Sequence, residues 1–84
     1  MTQIAKLYAW ILANPRAALS FRDFERLLSA FGFVLVRTVG SHRQYAHPRV
    51  SRPFPVQPEG KNAKRYQVRE FLDIIEKFDL SMES

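Results

Sequence analysis

The chain has 84 residues, 46% hydrophobic and 25% charged, with 13 Lys and Arg against eight Asp and Glu for a net charge of +5. This length leaves room for one core and no second domain, and the composition excludes a disordered chain. The absence of cysteine excludes disulfide staples, zinc thiolate sites and thiol catalysis, and suits a reducing cytoplasm.

The apolar stretches are interrupted by Lys6, Asn14, Arg16 and Arg37, which predicts neither a membrane span nor a secretory signal. Ile4, Leu7, Tyr8, Ile11 and Leu12 recur at helical spacing and predict a first helix over about residues 2–13. Asn14-Pro15 stops it, because the residue before proline is driven out of the helical region. Ser20 stands three residues before Asp23, a capping-box pattern in which hydroxyl and carboxylate satisfy the first free amides of a second helix. Phe21, Phe24, Leu27, Leu28 and Phe31 form its buried stripe, and Gly32 ends it.

Phe33 to Val39 is apolar and β-branched enough for a strand, and Gly40-Ser41 predicts a tight turn into a second strand from His42 to His47. A third extended segment, Pro53 to Gln57, contains Pro53 and Pro55, whose missing amides confine it to a sheet edge. Glu59-Gly60-Lys61-Asn62 reads as a polar loop. Val68, Phe71, Leu72, Ile75 and Phe78 then mark a last helix ending near Leu80. The predicted order is α-α-β-β-β-α, an α+β domain with helices on one face of a three-stranded antiparallel sheet and the other face open.

The charge is unevenly spread. Residues 1–36 carry four basic and two acidic groups, 37–69 carry eight and one, and 70–84 carry one and five, for sums of +2, +7 and −4. Arg37, Arg43, Arg49, Arg52, Lys61, Lys64, Arg65 and Arg69 share the middle segment with a single carboxylate, Glu59. Lys64, Arg65 and Arg69 crowd the start of the last helix while Glu70, Asp73, Glu76 and Asp79 run toward its end. Both placements oppose the helix dipole. Such cations suit a bound phosphate, for which free amides at a helix start are already aimed, and nucleic acid is the expected partner.

His42 follows the predicted turn, between Arg37 and Arg43. An imidazole titrates near neutrality and can take the proton of a ribose 2′-hydroxyl, while cations stabilise the charge gathering on the phosphorane. Spacing alone leaves open that His42 is merely an exposed side chain. His47 lies about 16 Å further along the strand and on its opposite face, so a shared substrate or a paired-histidine metal site is not expected. Two-metal hydrolysis needs clustered carboxylates, and no metal or other cofactor is assigned. Tyr45 is read as core and Tyr66 as able to stack on a base. Trp10 lies off the first helix's stripe, to pack at its edge or touch a partner.

The string Phe31-Gly32-Phe33, Arg37, Gly40-Ser41-His42-Arg43-Gln44-Tyr45 and His47-Pro48 resembles the HicA toxin family, also called YcfA-like. Gln57-Pro58, Gly60-Lys61, Ala63-Lys64 and Tyr66-Gln67-Val68-Arg69 extend the likeness over about residues 15–80 of the single domain, with the first helix preceding that core. The resemblance implies a fold like a double-stranded RNA-binding domain, metal-independent cleavage of messenger RNA, and neutralisation by a HicB-type antitoxin. It also implies that His42 is catalytic and that Gly40 and Ser41 shape its turn. The expected protein is thus a cytoplasmic endoribonuclease, monomeric when free, with phosphate held by Arg37, Arg43, Lys61, Lys64, Arg65 and Arg69. Two alternatives stand beside it: a non-catalytic RNA-binding module of the same fold, and a domain whose basic face meets an acidic protein.

Overall fold

A computed structural model describes residues 4–82. Its elements are α1 (Ile4–Ala13), α2 (Phe21–Ala30), β1 (Val34–Val39), β2 (His42–His47), β3 (Val50–Val56), β4 (Pro58–Glu59), β5 (Asn62–Ala63) and α3 (Arg65–Phe78). The architecture is α+β, with three helices and a three-stranded antiparallel sheet in the order β1-β2-β3. The order α-α-β-β-β-α holds for these main elements and is compatible with a double-stranded RNA-binding-domain-like fold. Residues 2 and 3 of the expected first helix lie outside the described residues.

The local signals act as their chemistry requires. Ser20 is the N-cap of α2, its hydroxyl accepting from the Asp23 amide at 3.1 Å. The Asp23 carboxylate does not complete the capping box, for it accepts from Arg26 Nη1 at 3.0 Å one turn along the helix. Gly32 leaves α2 at φ 92°, a conformation in which a Cβ is strained. Removing the cap hydroxyl in Ser20→Ala should cost about 1 kcal/mol, seen as a thermal midpoint lower by about 4–8 °C for a domain this small.

The polar loop expected at 59–62 is instead a ribbon, β4 paired with β5, with Pro58 opposite Ala63 and Glu59 opposite Asn62. Gly60 turns it at φ 64°. The ribbon is tied to the start of α2, where the Phe21 amide donates to the Lys61 carbonyl at 2.9 Å and the Ala63 amide to the Leu19 carbonyl at 2.8 Å. Two-residue strands hold only because a neighbour takes their remaining backbone groups. The third strand is three residues longer at its start than Pro53, and it is an edge strand as its prolines demand.

Six of the seven phenylalanines are buried: Phe21, Phe24, Phe31, Phe33, Phe54 and Phe71. Phe71 of α3 sits at the centre, its ring edge-on to Phe24 and Phe31, each at 5.6 Å, and at 6.1 Å from Phe33. Phe24 in turn meets Phe54 of β3, so α2 and α3 cover one face of the sheet. Against α2 packs α1, with Ile11 fully buried and the Tyr8 ring 4.9 Å from Phe31. Trp10 is 43% exposed on the outside of α1.

Candidate nucleic-acid interface

Strand alternation sorts the side chains of β2 onto two faces. Tyr45 and His47 are buried toward the helices, and Arg43 shares their face. His42, Gln44 and Ala46 belong to the uncovered one. On β1, Val39 pairs with His42 and Arg37 with Gln44, after a bulge between Leu35 and Arg37. The two-residue turn fixes this register, with Thr38 across from Arg43 between those two pairs, so Arg37 lies on the face of His42 as its diagonal neighbour. The extra residue Val36 shifts the pairs beyond it, Val34 with Ala46 and Leu35 with Tyr45.

The turn before His42 is a two-residue loop with Gly40 at φ 61° and no positive φ at Ser41, the pattern of a type II′ hairpin. A Cβ at Gly40 would meet nothing within 4 Å, so the requirement there is conformational. The Ser41 hydroxyl accepts from Gln57 Nε2 at 3.2 Å, and Lys64 Nζ donates to Gln57 Oε1 at 3.3 Å. Buried Gln67 fixes this link from below: its Oε1 accepts from the Gln57 amide at 3.0 Å, and its Nε2 donates to the Pro55 carbonyl at 3.4 Å. One side chain, Gln57, thus connects the turn that carries His42 to the N-cap of α3. Gln57 and Gln67 escaped the charge and histidine reasoning, although a glutamine one turn before Phe71 on an apolar stripe is itself a signal of a buried hydrogen-bonding task.

Arg43, expected beside His42, stands on the opposite face: its Nη1 reaches both carboxylate oxygens of Glu25, at 2.8 and 2.7 Å, and its guanidinium lies 5.5 Å from the centre of the Phe21 ring. Adjacent residues of a strand face opposite ways, and Glu25 of α2 waits on the covered side. Tyr45 completes the cluster by donating to Glu25 Oε2 at 2.7 Å. His47 is held within the fold: its Nδ1 accepts from the Arg49 amide at 3.0 Å, which leaves Nε2–H to donate to the Phe31 carbonyl at 3.0 Å.

Burial, helped by the hydrogen bond to Glu25 and that carboxylate's charge and opposed by Arg43, holds the Tyr45 phenol well above its ordinary value of 10.0. The folded chain therefore keeps a proton that the unfolded chain loses above about pH 10. Its contribution is full below that pH, and stability falls above it by about 1.4 kcal/mol per pH unit. Urea midpoints taken below and above about pH 10 should drop less in Tyr45→Phe than in the parent chain.

Among the described residues, Arg43 is the one cation of the middle segment held in an ion pair. Arg37, Lys61, Arg65 and Arg69 are exposed, Lys64 is half-buried, and the His42 ring is exposed with no side-chain hydrogen bond among those residues. Lys61 rides on the β4–β5 turn, while Lys64 and Arg65 line a cleft of about 690 Å³ with Asn62, Glu59 and Tyr66. No three His, Asp or Glu side chains come together, and no helix is long and apolar enough to cross a membrane, among the described residues.

These features define a small basic α+β domain that presents a histidine and the unpaired Arg37 on an uncovered sheet face, with further unpaired cations on the β4–β5 ribbon and along the first turns of α3. The chain belongs to the HicA toxin family: the family model described as the HicA toxin of bacterial toxin-antitoxin matches residues 21–76, from the first residue of α2 into the last turn of α3. Such a toxin has an antitoxin as partner. No curated protein and no solved structure gives a significant match to the chain.

Proposed function

We propose that the chain is the endoribonuclease of a toxin-antitoxin pair, cleaving messenger RNA in the cytoplasm without a metal, and that it is silenced by a HicB-type antitoxin covering the open sheet face. The observation that carries this is the placement of His42 and Arg37 as diagonal neighbours on that face, with Lys64 joined through Gln57 to the residue before His42. His42 takes the proton of a ribose 2′-hydroxyl. The freed oxygen attacks the adjacent phosphorus, the bond to the 5′-oxygen breaks, and that oxygen takes a proton from water or the Lys64 ammonium. The products are a 2′,3′-cyclic phosphate and a 5′-hydroxyl end. Arg37 stabilises charge that grows as phosphorus becomes five-coordinate, and the exposed Val34 and Val39 offer apolar contact to bases. Gly40 and Ser41 hold the turn, and the free toxin acts as a monomer.

One feature favours a second reading. Catalytic imidazoles are commonly oriented by a third group, and the His42 ring has none among the described residues, as suits an RNA-binding module in which it only touches ribose or phosphate. Incubation of the purified chain with RNA in excess chelator separates the two: cleavage with cyclic-phosphate ends supports the toxin nuclease, and intact RNA that still binds supports the module.

A further inference from the structure

Three arginines meet away from His42. Arg65 and Arg69 are one helical turn apart on α3 and share a face. Arg16 comes from the connection between α1 and α2, where Asn14 to Ala17 form a turn closed by the Ala17 amide donating to the Asn14 carbonyl at 3.0 Å. Pro15 occupies the second position of that turn, where its fixed φ is at home. Pro15, Arg16, Arg65 and Arg69 line one cleft of about 530 Å³. No carboxylate lines it, all three arginines are exposed, and none of them is in an ion pair among the described residues. Like charges bordering one cleft repel one another, an anion between them relieves that repulsion, and each guanidinium can grip phosphate with two parallel donors. Arg65 also lines the neighbouring cleft with Lys64, which is joined through Gln57 to Ser41. A track of cations therefore runs from the His42 turn around the start of α3 to Arg16.

We propose that Arg16, Arg65 and Arg69 form a second phosphate site, which grips the backbone of the RNA strand some nucleotides away from the bond presented to His42. This rests on the RNA reading above. It also gives a task to the segment before residue 21, where the family match begins: the turn after α1 supplies the third cation.

The test uses the full chain carrying His42→Ala, so that RNA stays intact, and follows binding of a fluorescent single-stranded RNA across a salt series. Arg16→Gln and Arg69→Gln should each lower the slope of log affinity against log salt by about 0.7, and the double variant should bind the long strand several-fold more weakly at low salt. Binding of a dinucleotide should be unchanged. Arg52→Gln, on β3, should leave the slope alone. Circular dichroism confirms that the exposed substitutions keep the fold. An unchanged slope in the double variant, or an equal loss in Arg52→Gln, overturns the second site while leaving the RNA reading intact. No binding of RNA by the parent at any salt overturns the RNA reading itself. Inorganic phosphate perturbing the Arg16 side-chain resonance without being displaced by RNA would mark a free-anion site and overturn the assignment to RNA backbone.

Discussion

His42→Ala should abolish chelator-resistant RNA cleavage while leaving the domain folded. A positioned general base is worth about 10²- to 10⁴-fold in rate, and no second imidazole can substitute, because His47 is buried on the other face with both ring nitrogens engaged. The fold should tolerate the change. His42 is exposed and makes no side-chain hydrogen bond among the described residues, and substitutions at such positions stay within about 0.5 kcal/mol. The measurement pairs a cleavage time course with a urea melt. Unchanged cleavage by a folded His42→Ala chain would remove His42 from the chemistry, whereas loss of cleavage with loss of the melt would say nothing about catalysis.

Phe71→Ala should be the most damaging single truncation for stability, at about 3–5 kcal/mol. Its ring is fully buried and is shared between α2, the residue leading into β1, and α3 itself, with Phe24, Phe31 and Phe33 packed around it. Those neighbours belong to different elements and cannot all collapse into the space left behind. A chain of this size commonly has about 4–13 kcal/mol of stability, so a large share of it disappears. The urea midpoint should fall steeply with little change in slope. Tyr66→Ala, in the first turn of α3 and exposed, should lie within about 0.5 kcal/mol of the parent and serves as the control for an aromatic lost from the same helix.

Much of the fold was legible because its signals are local. Asn14-Pro15, Ser20, Gly32 and Gly40 each act within a few residues, and the apolar spacing of Phe21 to Phe31 admits one buried face. The ribbon of β4 and β5 was illegible for the opposite reason: two-residue strands carry no periodicity, and what stabilises them is the backbone of Leu19 and Phe21, some 40 positions away in a numbering that gives no hint of it. At the site, His42 and Arg37 could be named from sequence, and the two-residue Gly40-Ser41 turn sets their shared face, since pairing Val39 with His42 puts Arg37 across from Gln44. The bulge at Val36 was illegible, because no residue type announces it. Arg43 was grouped with His42 from nearness in sequence, although adjacent residues of a strand face opposite ways.

The sequence by itself determined a basic α+β domain, its hairpin with His42 behind a glycine turn, and the gathering of cations between residues 37 and 69, because composition, turn chemistry and periodicity act over short range. Only the tertiary structure decided which cations are free and where they converge. Glu25 neutralises Arg43 from a helix 18 positions away, Gln57 ties Lys64 to Ser41, and Arg16 joins Arg65 and Arg69 across the fold. The net charge of +5 is the same on either account. Its effect depends on distances between charges, and those distances exist only once the chain has packed.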